Sequence, residues 1–377
     1  GRFLRVQLAM IDASKSANVI DLNGEHLSVA QGGNPYDEER VPQVERNKSI
    51  GDPRGILWNA AGTLGFITGM GSNNLVVINS AGERIDVGFA KNLREGPTGL
   101  ALDEGRNRLY VLNRFHGSIS VVDLTTFNEI ANVPFFDPTP AAIKIGRKHL
   151  YDTHKNSGLG HIACGSCHID ARMDRLAWDL GDPAGQVKLL DGEIHNLGAG
   201  IQGLRDDEDT FPPFTDFHPM KGPMTTQTLQ GIIGMEPHHW RGDRNGLEEF
   251  NPAFVGLQGD DDAIAGPGEG GLTQGEMQEF ENFLATIHFP PNPHRNFDNS
   301  LPTNLPLPRE FANGRFTLAN GAPLPNGNAV NGLTLYRRRD FTDSQNPPLD
   351  SETFGCVMCH TLPTGAGTDS FLDTPGG

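Results

Sequence analysis

Two copies of one five-residue pattern constrain this chain more than any other feature. Residues 164–168 read C-G-S-C-H and residues 356–360 read C-V-M-C-H, and together they hold all four cysteines of the 377-residue chain. Two thiols at this spacing can each bond one vinyl group of a haem, and the histidine that follows is then held under the iron as an axial ligand. A thioredoxin-like redox pair and half of a zinc site are the alternatives. We therefore predict two covalently bound haem c groups, attached through Cys164, Cys167, Cys356 and Cys359 and ligated by His168 and His360.

Composition and charge restrict where the chain works and what it binds. The formal net charge is −17, which argues against nucleic acid as a partner because phosphate binding needs clustered Lys and Arg. Haem attachment of this type is completed outside the cytoplasmic membrane, so we expect an exported, periplasmic or otherwise extracytoplasmic protein. The sequence has no signal peptide and no transmembrane segment, and it begins with Gly1, so we expect a mature, truncated or partly observed chain. A redox protein is the expected partner.

A repeat with a period of about 44 residues occupies the first part of the chain. The segment 51–58 is followed by strand-like runs at 64–67 and 74–78, and the segment 96–102 is followed by similar runs at 109–112 and 118–123. Each unit predicts three or four short strands, and this period fits one four-stranded propeller blade. Residues 138–143 read as the start of a third unit, and residues 18–22 as the last strand of an earlier one.

The repeat resembles the YVTN family of β-propellers through Tyr110-Val111-Leu112-Asn113 and the segment 120–124, which reads S-V-V-D-L. The resemblance implies an all-β, partial β-propeller over residues 1–145 with two to three blades. Because so few blades cannot close a ring, further blades are expected before Gly1 or from a partner chain. An ordinary β-sandwich is the alternative.

Residues 146–300 resemble bacterial diheme cytochrome c peroxidases. The matching segments are 146–152 (G-R-K-H-L-Y-D), 222–229 (G-P-M-T-T-Q-T-L) and 239–244 (H-W-R-G-D-R). The resemblance implies a mainly α, loop-rich, cytochrome c-like haem domain. It also implies a distal histidine shortly before the Gly-Pro segment, and His218 holds that position. Met220 and Met224 are the main alternatives as second ligand, and His195 is a third.

Other signals in this region are a helix and two acidic loops. An amphipathic helix is predicted over residues 272–287, with Thr273 as N-cap and Glu276 completing a capping box. The runs 206–209 and 260–262 are rich in carboxylates and are candidates for calcium. A solvated run of charge is the more ordinary interpretation.

Residues 301–377 predict a linker followed by an incomplete second haem domain. Residues 332–336 resemble the short helix that precedes a haem motif in small cytochrome domains, and only 17 residues, without His or Met, follow His360. The second axial ligand must then come from other sequence, from His288 or His294, or from another chain; otherwise the iron is five-coordinate.

These patterns favour an electron-transfer protein with two haems and a propeller module for docking a partner. A peroxidase-like enzyme is the alternative, with Asp260 or Glu249 as acid–base groups. A structural haem subunit of a larger redox complex is the third hypothesis.

Overall fold

The computed structural model describes residues 3–38, 40–86, 91–179, 223–239, 244–260, 270–307, 318, 321–338 and 356–365. The chain divides into two compact units. The first contains the described residues up to 179 together with those in 223–229, 246–260 and 270–286, and the second contains the remainder.

The first unit begins with three antiparallel β-sheets, which confirms the expected short paired strands, although two helices interrupt the all-β pattern expected for residues 1–145. A hairpin is followed by a three-stranded and then by a four-stranded sheet, and in each sheet the strands pair in sequence order. The hairpin contains β1 (Gln7–Ile11) and β2 (Ala17–Asp21); the second sheet contains β3 (Pro53–Trp58), β4 (Leu64–Gly69) and β5 (Asn74–Asn79); the third contains β6 (Pro97–Asp103), β7 (Arg108–Asn113), β8 (Ser118–Asp123) and β9 (Glu129–Pro134).

Local side-chain chemistry fixes the ends of these strands. After β5, the Asn79 side chain accepts hydrogen bonds from the backbone N–H groups of Ala81 and Glu83 at 2.9 and 3.0 Å, which closes a tight turn. The chain then runs back along β5, where Ile78 bridges Arg84 and Asn74 bridges Asn92. The three-stranded sheet is thereby widened on its β5 side.

The sheets stack face against face, and each central strand uses its alternating side chains for two different neighbours. One face of the second sheet, with Phe66 and Val77, packs on Leu109 and Val111 of the third sheet. Its opposite face packs on residues of the N-terminal segment; this second cluster contains Ile67, Val76, Ile78, Leu8 and Leu22. The middle sheet is therefore buried on both sides, as its near-continuous apolar strands β4 and β5 require.

Within the part of the chain that the structure describes, the four-stranded sheet is covered on one face only. Its outer face is apolar as well, and Ile119 and Val133, which lie opposite each other in β8 and β9, are 37% and 54% exposed. The same face includes Tyr110 and Val121, which follow Phe66 and Val77 by 44 positions in the repeat. The described sheets are open, and they do not close into a ring.

The expected start of a third β-unit at 138–143 is wrong, because helix α3 (Ala141–Tyr151) begins there. Pro140 occupies the N-cap position, and Ala141 and Ala142 in the first turn favour the helix strongly. Other helices precede and follow it: α1 (Gly24–Gln31), α2 (Gln43–Arg46), α4 (Thr153–Asn156), α5 (Cys164–Cys167), α6 (Asn251–Gly256) and α7 (Gln274–Leu284).

Helices α3 and α7 cross closely, and the contact point is a glycine. A Cβ atom at Gly146 would lie 2.3 Å from the carbonyl oxygen of Glu279 and 2.4 Å from Cβ of Phe283. Helix α7 confirms the predicted amphipathic helix, because Thr273 and Glu276 form the expected capping box and Met277 and Phe280 are buried. Helix α3 also contacts α5, the turn that carries the first cysteine pair.

Buried polar contacts join helix α4 and the residues after it to loops beside the β-sheets. His154 donates through Nε2 to the Ser49 carbonyl at 2.8 Å, and the Ser49 hydroxyl donates to the Leu159 carbonyl at 2.6 Å. The backbone N–H of Thr153 donates to the Gly71 carbonyl at 2.9 Å. Within the first unit, the segments before and after position 145 therefore share a polar, solvent-shielded contact.

The second unit contains α8 (Ala329–Arg338) and α9 (Cys356–Cys359) among its described residues. Helix α8 confirms the helix expected before the second cysteine motif. Upstream of α8, Leu305 and Gly327 form an isolated antiparallel bridge. None of the helices described in either unit is long and apolar enough to cross a membrane.

Candidate haem-attachment sites

The first cysteine pair lies on a single helical turn. Helix α5 spans Cys164–Cys167, and the backbone N–H of His168 donates to the Cys164 carbonyl at 2.9 Å. Residues three apart lie on the same side of a helical turn, so the two thiols face the same side. The Ser166 hydroxyl accepts from the N–H of Ala163 at 3.0 Å and fixes the start of the turn.

Gly165 lets this turn approach the preceding helix. A Cβ atom at position 165 would lie 2.8 Å from Cδ1 of Tyr151 and 3.1 Å from the Leu150 carbonyl oxygen. Tyr151 is the last residue of α3, so the aromatic ring packs directly on the cysteine turn. Position 165 is therefore restricted to glycine by close packing, although the C-x-x-C-H pattern itself places no demand on that position.

His168 has the hydrogen bonding expected of an axial ligand. Its Nδ1 lies 2.8 Å from the Gln227 carbonyl oxygen, which can only accept, so Nδ1 carries the proton. In this tautomer Nε2 has the lone pair that a haem iron binds, and the second-shell hydrogen bond sets the orientation of the ring. The Gln227 segment is held in turn by the N–H of Leu229, which donates to the Ala171 carbonyl at 3.0 Å.

The thiols of the first motif are protonated in this environment. Burial raises the pKa of Cys164 and that of Cys167 to about 11, and neither is in a disulfide. Redox-active thioredoxin-like cysteines have lowered pKa values, so these thiols do not have that character. The Gln258 amide donates to Sγ of Cys164 at 3.5 Å, while its buried Oε1 has no hydrogen-bond partner among the described atoms. The donor set of Cys164, Cys167 and His168 fits a covalently attached haem.

A short β-ladder lies beside the histidine. Strand β10 (Ala177–Trp178) pairs with β11 (Met224–Thr225), and the Trp178 indole donates to Oδ2 of Asp174 at 2.6 Å. Met224, one alternative for the second ligand, thus lies three residues before Gln227. A segment that holds the proximal ring is poorly placed to supply a ligand on the opposite face. His218, Met220 and His195 lie outside the described residues.

The sequence also suggests acidic side chains as an acid–base group or as calcium ligands, and the structure describes only some of them. Asp260 is 8% exposed, and its Oδ1 lies 3.4 Å from Nη1 of Arg46 and 3.9 Å from Nη1 of Arg40. Its position is that of a buried ion pair that ties the loop after α6 to the N-terminal segment. The loop 206–209, as well as Asp261 and Asp262, lies outside the described residues, so the calcium expectation stays a prediction. No group of three or more metal-binding side chains occurs among the residues that the structure describes.

The second motif repeats the main features of the first. On α9, the N–H of His360 donates to the Cys356 carbonyl at 3.0 Å, and Nδ1 of His360 lies 3.0 Å from the Gly365 carbonyl oxygen. The Tyr336 hydroxyl of α8 donates to the His360 carbonyl. The side chain of Cys359 is outside the description. His360 is therefore also held in the tautomer that has its lone pair on Nε2.

Several of these contacts have no sequence signal. Gln227 and Gly365 act through backbone carbonyls, and Gln258 lies 94 positions from the cysteine that it contacts. Only the segment around Gln227 could have been suspected, because it lies within the stretch that resembles the diheme peroxidases.

Comparison with known proteins gives weak and partial similarities. No protein-family model matches the chain, and no curated protein matches it. Among solved structures, Kuenenia stuttgartiensis hydrazine synthase is 22% identical with a TM-score of 0.22, covering 24% of this chain and 25% of that chain. The nidogen/laminin complex is 18% identical with a TM-score of 0.19, covering 23% and 32%. The AfRom2 CNH domain is 12% identical with a TM-score of 0.21, covering 33% and 34%. The matches span between a quarter and about a third of those chains, and at these TM-scores they carry no argument about function.

Proposed function

We propose that this chain is an exported, periplasmic c-type cytochrome that carries two covalently bound haems and transfers electrons to or from a redox protein. A bound haem would supply one-electron iron chemistry at each site. The chain's own residues attach the haem through paired thiols, orient the axial imidazole and exclude water from one side. The observation that carries the proposal is the hydrogen bond from Nδ1 of His168 to the Gln227 carbonyl, which puts the lone pair of the ring on Nε2.

The second motif supports the same proposal independently. A backbone carbonyl again accepts from Nδ1, and it belongs to Gly365 in a different part of the chain. Two unrelated loops that impose one tautomer on the histidine of a C-x-x-C-H motif are expected if both histidines bind metal. A structural zinc site would require further ligands beside each motif.

We further propose that the stacked sheets are blades of a β-propeller that docks the partner. The support is that equivalent sheet faces occur in the same order along the chain. The face of the three-stranded sheet with Phe66 and Val77 is covered by the next sheet. The face with Tyr110 and Val121, 44 positions later, is the one that a following sheet would cover. Each blade thus packs in the same orientation on the one before it, as a propeller requires. Further blades are supplied by additional sequence or by a partner chain.

For the iron ligand opposite His168 we propose His218, from the resemblance to diheme peroxidases. For the second haem we propose His288 rather than His294. A Cβ atom at Gly231 would lie 3.3 Å from both Phe289 Cδ2 and Thr364 Cγ2, so the residue after His288 and the loop after His360 meet at the same glycine.

Haem attachment is tested by expression with periplasmic haem-maturation machinery, followed by intact mass and a haem stain. We expect two haems in the wild type and one in each double variant, Cys164→Ala/Cys167→Ala and Cys356→Ala/Cys359→Ala. Attachment of no haem to the wild type would refute the proposal. Two haems in either double variant, or a haem that stays attached when all four cysteines are replaced, would refute it as well.

The spectra of the iron then separate electron transfer from catalysis. We expect two low-spin haems, with His218→Met and His288→Met each changing the spectrum of one haem only, and no peroxide-dependent turnover. A high-spin haem that binds cyanide and turns over hydrogen peroxide would instead identify the peroxidase-like enzyme. Matched variants His239→Met and His294→Met serve as controls and should leave both spectra unchanged.

A further inference from the structure

A cleft lies between the β-sheets and helix α3. Its cavity volume is about 50 Å³, and its polar lining includes Asn73, Glu95, Arg147, Lys148, Tyr151 and Asp152. The β-sheet loops supply the first two, and α3 and the residue after it supply the rest. All of them belong to the first unit, so the cleft is a feature of one compact body.

Arg147 is buried in the wall of this cleft, and the carboxylates of Glu95 and Asp137 favour its charged form without forming an ion pair with it. The residue is 6% exposed, and its guanidinium lies over the Phe115 ring, 4.4 Å from the ring centre. Its Nη2 donates to the Phe115 carbonyl, but buried Nε has no acceptor, and no described carboxylate forms an ion pair with it. Burial lowers the pKa of Arg147, in keeping with a desolvated cation. A cation in this state strongly favours an anionic ligand, since an unpaired buried charge is costly.

Tyr151 also lines the cleft and carries a second hydrogen-bond donor. Its hydroxyl makes no hydrogen bond with the residues that the structure describes. Burial raises the pKa of Tyr151 to about 12, so the hydroxyl stays protonated and can donate. Arg147 and Tyr151 are four positions apart on α3 and therefore lie on one face of the helix.

The remaining charges restrict the ligand to a small monoanion. Glu95, Asp152 and Lys148 also line the cleft. Lys148 pairs with Glu279 at 3.5 Å, and Oδ1 of Asp152 accepts from the N–H of Lys155 at 3.0 Å. The two carboxylates of the lining repel a dianion more strongly than a monoanion. A planar carboxylate also matches the fork of an arginine, and its second oxygen can accept from a hydroxyl.

We propose that this cleft is a binding site for a small monocarboxylate, held by the Arg147 guanidinium and the Tyr151 hydroxyl. The site requires neither haem, so it stands or falls independently of the function proposed above. Affinity in the millimolar range is expected, because a ligand of a few atoms makes few contacts.

The test is saturation-transfer NMR of acetate titrated into the haem-loaded full chain, with inorganic phosphate as competitor. We expect saturable acetate binding that weakens at least about tenfold in Arg147→Met, the loss for one charged hydrogen bond. It should weaken about fivefold in Tyr151→Phe, which removes one oxygen atom. The matched control is Arg106→Met, which removes an exposed arginine and should leave binding unchanged.

Three results would overturn the proposal. They are the absence of saturable acetate binding, unchanged affinity in both Arg147→Met and Tyr151→Phe, and displacement of acetate by phosphate at lower concentrations than by unlabelled acetate. If Arg147→Met fails to fold, Tyr151→Phe decides the question, because the change leaves the packing of the ring on Gly165 intact.

Discussion

The crossing of α3 and α7 at Gly146 makes a prediction whose sign is opposite to that of helix propensity. Alanine is a better helix former than glycine by about 1 kcal/mol, so Gly146→Ala should stabilise α3 if nothing touched it. Here the new Cβ would lie 2.3 Å from the Glu279 carbonyl oxygen and 2.4 Å from Phe283 Cβ. Both atoms are fixed to the backbone of α7 and cannot rotate away.

The magnitude follows from the shift that relieves this overlap. Ordinary contact requires the helices to move apart by about 1 Å, which loosens the packing around Phe280 and Phe283. Overpacking costs about 1–3 kcal/mol, and two contacts this short to backbone-fixed atoms lie in the upper part of that range, about 2–3 kcal/mol. The propensity gain offsets about 1 kcal/mol of this cost. We expect a net loss of about 1–2 kcal/mol, or a fall in Tm of roughly 2–8 °C for a unit of this size.

The assay is thermal unfolding followed by far-UV circular dichroism, with urea unfolding for the free energy. Gly275→Ala is the matched control, because it lies in α7 and a Cβ atom there meets nothing within 4 Å. This variant should be neutral or more stable by up to about 1 kcal/mol. Equal or higher stability of Gly146→Ala would refute the close crossing of the two helices.

Three further predictions concern pH, capping and haem attachment. Burial lowers the pKa of His26 to about 3 and that of His161 to about 4, while the unfolded chain takes up these protons near pH 6.5. The free energy of unfolding should therefore be highest above about pH 6.5 and fall by several kcal/mol as the pH drops towards 4. In His26→Gln, the urea midpoint should depend less on pH. Thr273→Ala removes the side-chain acceptor for the Glu276 N–H and should cost about 1 kcal/mol in urea unfolding, whereas Thr286→Ala at the other end of α7 should cost less. Gly165→Val should reduce haem attachment at the first motif, seen as a one-haem species by intact mass, and Gly332→Val should not.

Signals confined to a few neighbouring residues were sufficient for the helices with capping residues and for the repeated strands. Helix α7 begins where Thr273 and Glu276 indicate, and β2 occupies the stretch around Val19 that reads as a strand. In each case the deciding interactions lie within one turn or within an alternating run, and these are visible in sequence.

The β-interpretation of residues 138–143 failed because the repeat pattern outweighed local propensity. Two prolines and an isoleucine resemble the start of a blade, but Ala141 and Ala142 favour a helix once Pro140 has set its first turn. The burial of α3 against α7 completes the helix, and that contact joins residues about 135 positions apart. No local pattern encodes it.

The candidate sites also contain residues that the sequence predicts and residues that it does not. The cysteines and histidines of both motifs can be predicted from their spacing, because the chemistry of haem attachment fixes that spacing. The groups that orient His168 and His360 are backbone carbonyls, which any residue provides. The buried Nε of Arg147 has no acceptor because of which distant segments pack around it, and no local sequence pattern shows this. Such features arise only when distant segments are brought together.

The stacking of the sheets has a consequence for assembly symmetry. The face at Phe66 packs on the opposite side of the next sheet rather than on a copy of itself, and the face at Tyr110 is its equivalent 44 positions later. A contact of this kind is heterologous, so a twofold dimer cannot satisfy it. Such an interface either closes into a ring of sheets or grows in one direction as an open polymer. Because Ile119 and Val133 on this face are exposed, leaving the face uncovered would favour aggregation and lower solubility.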